Sequence, residues 1–125
     1  MNTSTILKRF IFCEDGRIEV RANSVADLKI ALKELKLLKK EYRLQKKDAS
    51  ARARNSIPFI RKAVRAGISV EGYPADPSVP PVLRTQKFEQ DVAELEAGIR
   101  AFDGLIRLVE EVELKVEAAI LGTQG

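Results

Sequence analysis

At 125 residues this chain has room for one domain at most. An apolar content of 45% excludes a disordered chain. A charged content of 32%, with no uncharged run near the roughly 18 residues of a membrane helix, excludes a membrane-embedded one. The net charge of +4 hides an asymmetry that bears on partners: residues 1–66 hold 17 Lys/Arg against 7 Asp/Glu, and residues 67–125 hold 5 against 11.

The first stretch, Met1 to Phe12, carries Lys8 and Arg9 and no long apolar run, so no secretory signal is expected. Cys13 stands alone and points to a reducing, cytoplasmic setting. Residues 6–22 read as a β-hairpin: Phe10-Ile11-Phe12-Cys13 and Ile18-Glu19-Val20 flank an Asp15-Gly16 centre. That dipeptide suits a two-residue type I′ turn, in which both residues need φ > 0. The turn pairs Cys13 with Ile18 and Ile11 with Val20 on an apolar face, and Phe12 with Glu19 and Phe10 with Arg21 on the other.

Ser24-Val25-Ala26-Asp27 resembles a capping box and opens helix 1, expected over 24–55. Its main stripe is Val25, Leu28, Leu32, Leu35, Leu38 and Tyr42; a second stripe, Ile30, Leu37 and Leu44, lies on nearly the opposite side. A helix apolar on two sides is normally covered on two sides. Lys29, Lys33, Lys36, Lys40, Arg43 and Lys47 form a basic strip, and Asp27, Glu34, Glu41 and Asp48 a separate acidic row. Asn55-Ser56-Ile57-Pro58 is expected to break the helix, because a residue before proline is pushed out of the α region. A short helix over 57–66 follows, capped by Ser56 and ended by Gly67, with Ile57, Ile60 and Val64 inward. No acidic residue occurs from Ala49 to Val70, whereas Arg52, Arg54, Arg61, Lys62 and Arg65 all do.

Pro74, Pro77, Pro80 and Pro81 mark 67–84 as an extended loop. The last helix is expected over 85–121, capped by Thr85 and Gly122. It carries the strongest pattern in the chain. Val92, Ile99, Ile106, Glu113 and Ile120 recur every seven residues at heptad position a, and Phe88, Leu95, Phe102, Val109 and Val116 do so at d. Every e position, Glu89, Glu96, Asp103, Glu110 and Glu117, is acidic. Lys39 and Lys46 at e of helix 1 favour an antiparallel pairing, in which e faces e. Glu113 reads as a frayed end of the seam, ahead of a register-setting charge paired with Lys29 or Lys33.

The fold class is therefore mainly α (α+β): an N-terminal β-hairpin followed by a long antiparallel helical hairpin or coiled coil, in one domain. Antiparallel packing sets the polar end of helix 1 beside Phe88 to Ile99. Either the short helix folds back over that seam or a second copy covers it, and the unmatched second stripe of helix 1 favours the second copy.

Nothing here carries chemistry. There is no Gly-rich phosphate loop, no CxxC and no HExxH, and histidine, the commonest metal ligand and general base, is absent. No cofactor, metal or catalytic residue is expected, and the protein reads as non-enzymatic. The leading reading is a homo-oligomeric assembly or protein-interaction module acting through coiled-coil surfaces. Its contacts would come from Ile30, Leu37, Leu44, Phe88, Val92, Leu95, Ile99, Phe102, Ile106 and Val109. The alternative is a small DNA- or RNA-binding protein that contacts phosphates through Lys36, Lys40, Arg43, Lys47, Arg52, Arg54, Arg61, Lys62 and Arg65. Phe59, and Phe10 and Phe12 beside Arg9 and Arg21, are its candidates for stacking on single-stranded bases.

Overall fold

The turn at Gly16, held at φ 73°, joins two short strands, β1 (Ile11–Glu14) and β2 (Arg17–Val20). The computed structural model describes residues 9–14, 16–70, 72–74 and 78–124; residues 6–8 of the expected hairpin, and Asp15, lie outside them. The register is the one the Asp-Gly spacing requires: Ile11 faces Val20, Phe12 faces Glu19, and Cys13 faces Ile18. The Arg21 N–H donates to the Phe10 carbonyl at 2.8 Å and extends the ladder by one step.

α1 runs over Val25–Arg65 without interruption. Its start is the expected one: the Asp27 N–H donates to Ser24 Oγ at 3.2 Å, and the Asp27 carboxylate accepts from the Asn23 N–H at 3.4 Å. The expected break at 55–58 and the separate 57–66 helix are absent, and Pro58 sits inside α1. Two local facts account for this. Pro58 and Arg54 are both exposed, so water can serve the Arg54 carbonyl that proline leaves without a donor. Ser56 Oγ donates back to the Arg52 carbonyl at 2.8 Å instead of capping a new helix. The end of α1 is set by Gly67 at φ 74°, with Ile68 N–H on the Ala63 carbonyl at 2.9 Å and Gly67 N–H on the Val64 carbonyl at 3.2 Å. This is the Schellman arrangement, which needs a residue at home in the left-handed region.

α2 runs over Pro81–Gln124, beginning four residues before the expected Thr85. The Pro80 carbonyl already accepts from Leu83 and Arg84, and proline fits the first helical position because its missing N–H would be unpaired there anyway. Thr85 bonds back to the Pro81 carbonyl at 3.0 Å. Gly122 lies within the helix, one residue before Thr123 bonds back to Ala119 and Ile120.

The chain forms two compact units, Met1–Gln45 with Phe102–Gly125, and Lys46–Ala101. The core of the first holds Ile11, Ala31, Leu35, Leu38, Val109, Val116 and Ile120, with Phe10, Ile18 and Val20 of the hairpin packed against it. The buried Glu34 carboxylate accepts from the backbone N–H of Arg9 and, at 3.1 Å, of Phe10, which ties the entry of β1 to α1. The core of the second unit holds Val64, Phe88 and Val92, flanked by Ile57, Ile60 and Tyr73. Tyr73 meets Phe88 edge-on at 5.2 Å and donates its hydroxyl to Asp91. In both units the helices pair antiparallel, through Lys39 with Glu113 in the first and Arg61 with Glu89 in the second. Phe88, Val92 and Val109 are thus covered by the chain's own α1, where a second copy was the favoured cover.

Candidate interaction surface

The apolar side chains expected at an interface fall into two groups. Phe88, Val92 and Val109 are buried, and Ile99, Phe102 and Ile106 are half-buried. Ile30, Leu37 and Leu44, by contrast, are 38%, 51% and 60% exposed, and Leu95 of the other unit is 46% exposed. Steps of seven residues place Ile30, Leu37 and Leu44 on one line along α1, about 10 Å apart at 1.5 Å per residue. The helix turns this line away from the core because Ala31, Leu35 and Leu38 occupy the opposite side.

Charge is sorted around this line. Lys33 and Lys40, each one turn after an apolar residue, interleave with it, and Lys29, Lys36 and Arg43 border it; all five are exposed. Its other flank descends to the buried Glu34 and to Glu41, which accepts a hydrogen bond from Gln45 Nε2 at 3.4 Å. In the same unit, α2 presents a second exposed pair, Leu114 at 67% and Leu121 at 70%. Here the interleaved exposed residues are Glu110 and Glu117. One unit therefore carries two exposed apolar lines, one threaded with lysine and the other with glutamate.

Glu113 is not a frayed end. It is buried, and its carboxylate lies 3.0 Å from Lys39 Nζ, which corrects both the expected solvation and the expected partners, Lys29 and Lys33. The correction has a simple cause: Lys39 is one turn beyond Leu35 and points into the same helix–helix groove.

The basic residues also divide. Arg61 is engaged by Glu89 through two hydrogen bonds, of 2.6 Å and 3.1 Å. This bond holds the Glu89 carboxyl below its usual range and raises the Arg61 guanidinium. Lys36, Lys40, Arg43 and Lys47 are exposed, as are Arg52, Arg54, Lys62 and Arg65. Of the three aromatic candidates, Phe10 packs against the core and Phe12 lies beneath the Arg21 guanidinium at 4.5 Å from its ring centre. Arg21 is itself paired with Glu19 at 3.1 Å. Phe59 is the most open of the three, at 70% exposed against 41% for Phe12.

Sequence reasoning missed Glu34 as a tether. A carboxylate in a row of acids at seven-residue spacing looks like a solvated face, and no local signal marks the one that turns inward. A recess of about 160 Å³ in the second unit is lined by Val64, Ile68, Tyr73, Val79, Leu83 and Arg84. The Arg84 guanidinium comes within 3.8 Å of where a side chain on Gly67 would begin. At the carboxyl end of α1 a cation offsets the helix dipole, while Arg84 Nε is buried without a hydrogen-bond partner among the described residues. Among the described residues no three of His, Cys, Asp and Glu gather as metal ligands would, and no helix is long and apolar enough to cross a membrane. Comparison with family models, with curated proteins and with solved structures finds no match for this chain.

Proposed function

We propose that this protein is a non-enzymatic assembly module that associates with a second copy of itself through the line Ile30, Leu37 and Leu44. The observation that carries the reading is the pairing of opposites within one unit: an exposed apolar line threaded with Lys33 and Lys40, and another threaded with Glu110 and Glu117. A seven-residue apolar repeat bordered by charge is how helices choose partners. A two-fold dimer would satisfy both lines at once, because the α1 line of each copy meets the α2 line of the other. A reducing, cytoplasmic setting, read from the lone Cys13, belongs to the same proposal.

Sedimentation equilibrium tests it. The wild type is expected to be a dimer or larger at micromolar concentration. Lys33→Glu with Lys40→Glu should drive it to monomer, as should Glu110→Lys with Glu117→Lys. Mixing the two variants should restore association, since in a mixed dimer both surface pairs are complementary again. A monomeric wild type, or two variants that fail to recover on mixing, overturns the proposal.

A further inference from the structure

The second unit carries a surface that assembly does not use. From Ala49 to Val70 the chain has no acidic residue, and α1 exposes Phe59 there to 70%. An aromatic ring left this open on a helix is unusual, because a phenylalanine gains most from burial. Its neighbours on the same face are not apolar. Asn55 lies one turn before it, Lys62 one turn after it and Arg52 two turns before it, and all three are exposed. The remaining cations lie toward α2. Arg61 is taken by Glu89 at 2.6 Å, and Arg65 feels the same carboxylate. Among the described residues neither Arg52 nor Lys62 is ion-paired, with Asp48 one turn before Arg52 as the nearest acid along α1, and the Tyr73 hydroxyl occupies Asp91 elsewhere in the unit.

We propose that the outer face of α1 from Arg52 to Lys62 binds single-stranded nucleic acid, with Phe59 as the platform on which a base stacks. A lone ring between cations fits this ligand better than the alternatives. A lipid surface or an apolar protein groove needs several adjoining apolar side chains, and Phe59 is ringed by Asn55, Ser56 and Lys62. An unstacked base needs one exposed aromatic face, and its phosphates need cations within reach on either side. Arg52 and Lys62 stand about 15 Å apart along the helix, one on each side of the ring. The site is small, so affinity is expected in the range of non-specific binding and to fall with salt. This inference does not rest on the assembly reading, since it uses no residue of the first unit.

The test is fluorescence anisotropy of labelled oligo-dT and oligo-rU with the whole protein across a salt series, with heparin as a polyanion lacking bases. Phe59→Ala should weaken oligonucleotide binding about 5- to 150-fold, the range for loss of one stacked base. Phe59→Tyr should bind like the wild type, and Phe59→Leu like the alanine variant. Heparin binding should be the same in all of them. Arg52→Gln with Lys62→Gln should flatten the logarithmic salt slope by about 1.4, at roughly 0.7 per phosphate on a single strand. Absence of binding by the wild type at low salt overturns the proposal, as does equal binding by wild type and Phe59→Ala. Equal loss of heparin binding in Phe59→Ala would reduce the ring to a structural role and also overturns it. A change in sedimented mass on Phe59→Ala would assign the ring to a contact between copies, and binding of anionic vesicles that depends on Phe59 would assign it to a lipid surface; either result replaces the nucleic-acid assignment.

Discussion

Lys39 and Glu113 meet between the two helices of the first unit: Nζ lies 3.0 Å from Oε1 and donates to Oε2 at 3.3 Å, and the two side chains are only 19% and 10% exposed. The pair occupies a position where the heptad pattern asks for an apolar residue. Removing one partner leaves the other charge poorly solvated and should cost about 3 kcal/mol, the lower end for a buried pair because Lys39 keeps some contact with water. Replacing both, as Lys39→Met with Glu113→Leu, should be neutral or stabilising. Chemical denaturation of the two single variants and the double variant checks this. Additive losses in the double variant would show that the two groups do not act as a pair.

Glu34 fixes where the hairpin enters. Its carboxylate serves two backbone N–H groups, at Arg9 and Phe10. Glu34→Ala should destabilise by about 1–3 kcal/mol, the cost of leaving a buried donor without a partner. Glu34→Gln keeps one acceptor oxygen and should cost less. Amide hydrogen exchange should accelerate through Ile11–Glu14 and Arg17–Val20 ahead of the helices. Uniform acceleration across the chain would mean that the carboxylate supports the whole core and not the hairpin in particular.

Adjacent leucines on α1 should behave oppositely. Leu38 is 1% exposed and Leu37 is 51% exposed. Leu38→Ala should cost about 2–5 kcal/mol, as for other buried leucines. Leu37→Ala should leave the stability of the dilute protein nearly unchanged and weaken self-association instead. Denaturation at two protein concentrations separates the effects, because the stability of an associating protein rises with concentration.

Alkali should find Tyr73. Burial and the hydrogen bond to the Asp91 carboxylate push its phenol up to about 12 from the usual value near 10. The folded state therefore holds this proton more tightly than the unfolded one. The resulting stability is complete below about pH 10 and is lost as pH rises toward about 12. Tyr73→Phe should remove this part of the alkaline loss, measured by denaturation midpoints over that interval. An absorbance titration of the wild type in which both tyrosines ionise near 10 would contradict it.

The strand register of the hairpin, from Ile11–Val20 to Glu14–Arg17, was legible because an Asp-Gly centre and strict alternation admit only one pairing. The core side of α1 was legible because Val25, Leu28, Leu32, Leu35 and Leu38 form the longer of its two apolar stripes. What escaped lay where one residue has two physical outcomes. Pro58 ends a helix if the carbonyl it orphans is buried and is tolerated if that carbonyl meets water, and the sequence does not show which side of the helix it takes. Glu113 and Glu34 escaped because an acid in a seam or an acid row reveals its burial only through a distant partner, Lys39 in one case and the Arg9–Phe10 backbone in the other. In the candidate surface, Ile30, Leu37 and Leu44 were legible as a second stripe, while the openness of Phe59 needed coordinates.

The division into two units has a consequence for how the chain assembles in time. The reversal of chain direction near residues 67–80 lies inside Lys46–Ala101, so that unit closes over a short stretch. The first unit must bring residues 9–45 against 102–124 across the whole of Lys46–Ala101, a span roughly two doublings longer, which adds about 1.2 kcal/mol of closure entropy. Speed and packing thus fall in different halves: the quicker closure gathers Val64, Phe88 and Val92, and the slower one gathers the larger core around Leu35, Leu38 and Val109. On the ribosome the contrast sharpens. The apolar stripe of α1 emerges early, and the part that the hairpin does not cover stays open until Phe102 and the residues after it have been synthesised, so the nascent chain passes through an interval with much of its largest core exposed.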